Sequence, residues 1–277
     1  MITAIIDNEL VIRLGCFLGV FVIMACWELF TPYRVLTISK PRRWFYNLAM
    51  VVIDSAIVRV IFPAAVVGMA FTAAEREWGL FNIVDVPAWL SIVATVIILD
   101  FVIYMQHVMF HAIPTLWRLH MVHHTDLDID VSTGNRFHPG EIVISMLIKM
   151  AVVILIGPPL VAVVIFEVVL NATSMFNHSN VRLPTPLDKL LRMIVVTPDM
   201  HRVHHSVIKR ETNSNYGFNL PWWDRVFGTY RDQPEAGHLN MVIGLEQYRD
   251  ENQLTLSKLL ILPVAGRPGE YPINRDN

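Results

Sequence analysis

Residues 86–124 read VPAWLSIVATVIILDFVIYMQHVMFHAIPTLWRLHMVHH, and the fold turns on them. Val86 to Phe110 carries one formal charge, Asp100. As a helix it is long enough to cross the roughly 30 Å of hydrocarbon that takes about 20 residues. A lone strand is excluded there, because lipid leaves its backbone amides unsatisfied. The span ends by delivering His107 and His111, four residues apart and so on one helix face. Pro114 then turns the chain. His120, His123 and His124 follow at helical spacing, so a membrane helix leads straight into a histidine-bearing one.

The rest of the chain agrees with a lipid environment. Of its 277 residues 54% are hydrophobic and 17% charged, against about a quarter charged in an ordinary soluble domain. Two more apolar runs, Leu10–Phe30 and Trp44–Ala73, are each long enough to span. Leu10–Phe30 lacks a basic leader and follows Asp7 and Glu9, so it reads as a retained helix rather than a signal peptide. A fourth run, Ile142–Phe176, is too long for one crossing and is broken by Gly157-Pro158-Pro159. It predicts a helical hairpin whose arms, about 15 residues each, are short for full spans. The expected fold is an all-α, multi-pass membrane bundle of three long spans plus that hairpin, with a helical cap.

Basic residues set the topology. The first connection holds Arg34, Lys40, Arg42 and Arg43, whereas the second, from Glu75 to Asp85, holds only Arg76. The first loop and the histidine-rich end are therefore expected on the cytoplasmic side. The ending Ile273 to Asn277 shows no endoplasmic reticulum retrieval signal, which favours a bacterial inner membrane. Further on, Leu187, Leu190, Leu191 and Ile194 oppose Asp188, Lys189 and Arg192, the pattern of an interfacial helix. Thr197-Pro198-Asp199 reads as a helix start one turn before His201.

Eleven histidines against two cysteines point to imidazole chemistry. Cys16 and Cys26 share one apolar run and supply neither a disulfide framework nor a thiolate zinc site. The net charge of −2 excludes nucleic acid as a partner. A third cluster, His201, His204 and His205, repeats the helical spacing. Eight clustered histidines exceed the three or four protein ligands of one zinc, so two metal ions are the economical reading, although imidazole alone does not name the metal. His178 is a ninth candidate: Glu167, Asn171, Ser174 and His178 form a polar stripe on an apolar helix. Glu167 and Asp100, as intramembrane carboxylates, are expected to orient imidazoles. Asp54 and Arg59 read as a pair or as snorkelling side chains. His138-Pro139-Gly140-Glu141 resembles the haem-binding loop of cytochrome b-type domains, but an apolar helix follows at once and haem is rejected. His138 is held as a supporting residue and His238 is set aside in a polar tail.

The boxes His107-x-x-x-His111, His120-x-x-His123-His124 and His201-x-x-His204-His205, in this order, resemble the fatty acid hydroxylase and sterol desaturase superfamily of membrane di-iron enzymes. The similarity covers roughly residues 85–235, including Arg136 to Pro139, Phe176 to Ser179 and Asn213 to Tyr230. Residues 1–84 then form N-terminal membrane helices and 236–277 a cytoplasmic tail. The resemblance implies two irons bound by the box histidines and His178, dioxygen as co-substrate, a lipid entering from the membrane, and hydroxylation or desaturation of its C–H bond. It also implies supporting roles for Asn177, Asn213 and Asp224. Some hydroxylases of that superfamily carry a further histidine four residues past the position of His178; here it is Arg182, and no tenth ligand follows. Asn219 is expected to cap a short helix begun by Pro221 and ended near Gly228. No reductase or haem segment is visible, so the electrons are expected from a separate protein, with Arg202, Lys209 and Arg210 as its contact, a lipid contact or a solvated basic face. The rival functions are a membrane zinc hydrolase of lipid amides or esters, and a metal-binding protein without chemistry.

Overall fold

The structure, a computed structural model, describes residues 8–63 and 65–274. Asp7 and Arg275 to Asn277, used above for topology and address, lie outside the described residues. The chain is helical, and among the described residues there is no strand, only one isolated bridge between Ser206 and Ile243. Five helical segments are long and apolar enough to cross a membrane.

Helix α1 (Glu9–Phe30) is followed by α2 (Lys40–Ile61) and α3 (Ala65–Glu75). The single helix expected over Trp44–Ala73 is interrupted at Phe62-Pro63, where proline removes an amide donor and disfavours helix before it. Helix α4 (Ala88–Ala112) carries the first histidine pair, and α5 (Pro114–His124), with Pro114 in its first turn, carries the second cluster. The hairpin arms are α6 (Pro139–Ile156) and α7 (Leu160–Asn177). Each has 18 residues rather than about 15, ~27 Å of helix, enough to cross. The extension comes from the start of α6, where His138 caps and Pro139 occupies the first turn. Between the arms Gly157 adopts φ +59, and a Cβ there would stand 2.3 Å from the Trp78 carbonyl. Only glycine lets this turn seat against the loop after α3.

The two ends of the bundle differ in chemistry. At one end the 78–82 loop packs on Gly157. At the other, the basic first loop is tied to the histidine cap: the Thr37 and Ile38 amides donate to Asp128 at 2.8 and 2.9 Å, and Arg34 donates to the carbonyls of His238 and Met241. Arg43 is buried between Asp126, 2.7 Å away, and Asp130, also at 2.7 Å. Burial alone would raise the Asp126 carboxyl, and the adjacent guanidinium overrides it, holding it down to about 2. The first loop and the histidines thus share one side, as the distribution of basic residues required.

Helix α8 (Thr185–Leu191) is shorter than its pattern suggests, and its faces are sorted for lipid. Leu187, Leu190, Met193 and Ile194 are exposed while Asp188 and Arg192 pair at 2.6 Å inside. Helix α9 (Pro198–His204) begins as its sequence predicts, the Thr197 side chain accepting from the Met200 amide. The final helix, α10 (Leu256–Ala265), packs on α5, and Tyr271 stacks on Trp117 at 5.7 Å. Residues 237–274 therefore fold back onto the cap instead of trailing as a tail.

Candidate metal centre

Nine histidines converge from four parts of the fold. One group holds His107 and His111 of α4, His120 and His124 of α5, and His204 of α9; the other holds His123, His178, His201 and His205. Within each group the candidate ligand atoms lie within 4.8 Å of one another, and all nine side chains are buried. The i, i+3, i+4 spacing explains the division. On α5 it sends His120 and His124 to one group and His123 to the other, and on the third box it sends His204 to the first and His201 and His205 to the second.

Hydrogen bonds at the outer ring nitrogens decide what the inner ones can do. Nδ1 of His107, His178 and His204 lies 2.8, 2.7 and 2.8 Å from the carbonyls of Tyr216, Ser174 and Ser214. Nδ1 of His120 is 2.7 Å from Glu141, and that of His111 is 3.0 Å from the Asn213 side-chain oxygen. Carbonyl oxygens only accept, so Nδ1 of His107, His111, His178 and His204 donates and each of these neutral rings keeps its lone pair on Nε2. These nitrogens face neighbouring imidazoles: Nε2 of His107 is 3.1 Å from that of His120, and Nε2 of His178 is 3.0 Å from that of His201 and 3.1 Å from that of His123. The Nε2 atoms of His111 and His204 have no hydrogen-bond partner among the described residues. Each group could hold one metal ion among these nitrogens. Two nitrogens at right angles around an ion ~2.1 Å away stand ~3.0 Å apart, close to the observed separations. Burial also pushes His120 and His178 down to about 3 and holds His123, His124, His201, His204 and His205 well below the ordinary histidine range. The rings stay neutral and ready to ligate.

The supporting residues expected from sequence fall into distinct places. Asn213 reaches a histidine directly. Asp224 works one step away: it accepts from the Tyr216 and Gly217 amides at 2.8 Å each, fixing the segment whose carbonyl holds His107. Asp100 reaches no imidazole; it receives the Trp223 indole at 2.8 Å and the amides of Asn219 and Leu220, clamping that segment to α4. Asn177 donates to the Phe218 carbonyl at 3.0 Å. Glu167 also orients no imidazole, because Lys149 at 2.7 Å and Arg13 at 3.3 Å claim its two oxygens, and Asn171 donates to the carbonyl of Glu167. His138 caps α6 by accepting from the Gly140 amide and lies in neither group.

Other expectations change with burial. Asn219 caps no helix; its side-chain oxygen accepts from Thr173, and the one-turn helix Trp222–Val226 has no side-chain cap. His238 is buried beside Asp199, 3.8 Å away, rather than solvated. Arg202 is no surface residue: it is buried, donates to Asp199 at 2.5 Å and lies over the Tyr33 ring, while Lys209 and Arg210 are exposed. Asp54 pairs with no arginine among the described residues and is buried.

Sequence reasoning missed Glu141, although it is an acid in the first turn of an apolar helix, the signal applied to Asp100 and Glu167. It also missed the cavity of about 270 Å³ that adjoins the first group, lined by His107, His120, Glu141, Asp54, Lys149 and Phe218 among others. An open groove of about 630 Å³ along α10 contains no histidine and stands apart from this chemistry.

Residues 92–229 match the model of the family described as fatty acid hydroxylase. Over 234 residues the chain is 29% identical to the ornithine lipid hydroxylase of Rhizobium tropici, covering 82% of this chain and 69% of that one. It is 32% identical over 175 residues to the alkylglycerol monooxygenase of Homo sapiens, covering 61% of this chain and 36% of the human protein. With methylsterol monooxygenase 2-2 of Arabidopsis thaliana the identity is 26% over 158 residues, covering 56% and 59%. The matched segment thus spans little more than a third of the human relative. No solved structure matches significantly. The relatives are named as lipid hydroxylases and monooxygenases, and residues 92–229 contain every histidine of both groups. Through that segment the chain belongs to the fatty acid hydroxylase family.

Proposed function

We propose that this protein is a membrane di-iron oxygenase that hydroxylates or desaturates a C–H bond of a lipid, with its site on the cytoplasmic face of a bacterial inner membrane. The observation that carries the reading is the pair of buried histidine groups with converging Nε2 atoms, next to a cavity between membrane spans.

His107, His111, His120, His124 and His204 would hold one iron, and His123, His178, His201 and His205 the other. Two irons so held supply the activation of dioxygen, with two electrons from a separate electron-transfer protein. The chain's own residues do the rest. The Tyr216, Ser214 and Ser174 carbonyls, with Glu141 and Asn213, fix each ring's tautomer and aim. Phe137, stacked 4.6 Å from His123, and Phe218, 6.3 Å from both His107 and His201, wall the groups with apolar surface and keep water out. The cavity opens among α1, α2, α4, α6 and α7, which gives a lipid lateral access. Residues 85–235 serve as the catalytic unit, with the segment after 236 bracing α5.

Anaerobic purification with metal quantification and iron spectroscopy, joined to lipid analysis of cells expressing wild type and His204→Ala, tests this. Two irons per chain and a hydroxylated or desaturated lipid that disappears in the variant are expected. An unchanged lipid profile with folded His204→Ala protein overturns the reading, as do two zinc ions with hydrolysis under anaerobic conditions.

A further inference from the structure

The adjoining cavity is unusually polar for its depth. Arg13 of α1, Asp54 of α2, Gln106 of α4, Glu141 and Lys149 of α6, and Glu167 of α7 all line it, and all six stand within candidate membrane spans. Ionisable groups at such depth are costly and mark substrate pathways.

Their hydrogen bonds are lopsided. The cations are engaged: Lys149 Nζ donates to Glu167 at 2.7 Å, and Arg13 reaches Glu167 and Glu9, each at 3.3 Å. The acceptors are not. Asp54 Oδ1, Gln106 Oε1 and Glu141 Oε2 are buried atoms without a hydrogen-bond partner. Asp54 is 8% exposed and Glu141 4%. Neither carboxylate has a lysine or arginine against it among the described residues. Three unpaired acceptors, two of them carboxyl oxygens, define their complement. A carboxylate or phosphate would meet two carboxyl groups, and both cations are already paired with Glu167. A hydroxyl brings one donor and no charge. A primary ammonium brings three donors, no acceptor and a positive charge.

We propose that Asp54, Gln106 and Glu141 form the subsite for a primary amine on the lipid substrate, and that they select amine-bearing lipids. This rests on the oxygenase reading for the word substrate, but the binding itself does not. Glu141 links the subsite to the metal groups, since its other oxygen accepts from His120 Nδ1 at 2.7 Å. Asp54 and Gln106 hold no histidine and act on selection alone.

The test is binding, read as thermal stabilisation of the full chain in nanodiscs by dodecylamine, dodecanol and dodecanoate, with and without Asp54→Asn and Gln106→Leu. Wild type is expected to be stabilised by dodecylamine at concentrations at least about 10-fold below those for dodecanol, with no response to dodecanoate. Asp54→Asn should keep its unliganded midpoint, since Oδ1 has no partner to lose, and lose the amine preference while binding dodecanol as before. Asp54→Glu should restore it. Gln106→Leu should weaken amine binding by about 3-fold, which keeps the test alive if Asp54→Asn does not fold. Equal binding of the three amphiphiles, or an amine preference that survives both variants, overturns the proposal. An amine preference in a protein whose His204→Ala variant leaves cell lipids unchanged would sink the oxygenase reading and spare the subsite. Lipid oxidation that His204→Ala abolishes, without any amine preference, does the reverse.

Discussion

The histidine groups and the cavity beside them are made of the same kind of part, buried polar side chains on apolar helices, yet their hydrogen bonds are completed differently. Around the histidines, outer nitrogens are tied to Tyr216, Ser174, Ser214, Asn213 and Glu141, and what is left over points inward. In the cavity the cations are tied to Glu167 and what is left over is acceptor oxygen. A buried polar group left without a partner calls for an explanation, and here two sets of them adjoin one another. The first remainder fits cations held by imidazole, and the second fits a donor carried by an amphiphile.

The comparison breaks most visibly if the cavity charges are solvated after all. Lys149→Met leaves Glu167 with Arg13 alone, and breaking a buried pair costs about 3–5 kcal/mol. The low end is expected, since Arg13 stays 3.3 Å away. Chemical denaturation in detergent measures it, and Lys149→Met with Glu167→Gln should recover most of the loss. A single variant as stable as wild type would mean that water fills the cavity, and its unpaired acceptors would then lose their significance.

A smaller effect sharpens the other half. Asn213→Leu frees His111 Nδ1 without touching a proposed ligand. Loss of such a partner typically costs about 10–100-fold in metal affinity, or ~1.4–2.7 kcal/mol. Competition with a chelator should show that loss with the iron count still two. A variant that binds metal as tightly as wild type would show that the ring is aimed by packing alone.

What was legible in the sequence follows range. Apolar length along one segment located all five apolar segments but counted only three as full spans, and spacing within one helix placed the imidazoles of each box on common faces. The hairpin arms were underestimated because His138 and Pro139, which extend α6, were read as a haem decoy and not as a helix start. Partners were another matter. Nothing along the chain says that Glu167 meets Lys149 eighteen positions away in place of a histidine, or that Asp100 clamps a segment over a hundred residues later. The carbonyls that aim His107 and His204 belong to Tyr216 and Ser214, and a backbone oxygen has no signature in a side-chain pattern. His238 and Arg202 looked solvated because they sit in polar stretches, and only the packing of the cap against the first loop buries them.

The smallest expected effect concerns how the cap that carries the histidines is fastened to α2. Asp126 is held down to about 2 in the folded protein, where burial opposes ionisation and Arg43 more than compensates. An aspartate released by unfolding titrates near 3.9. Between those values the unfolded chain binds the extra proton, so the contribution is complete above about pH 5 and is lost progressively as pH falls toward about 1. By pH 3 the loss should be about 1 kcal/mol. Thermal unfolding in detergent from pH 5 to pH 3 should show the decline, and Arg43→Met, less stable throughout, should flatten that part of it. The Lys149→Met protein should keep the full acid dependence, because its lesion lies in the cavity. If both variants flattened the profile alike, the cap and the cavity would be one electrostatic unit, and the contrast between a self-completed site and one that awaits its ligand would have to be abandoned.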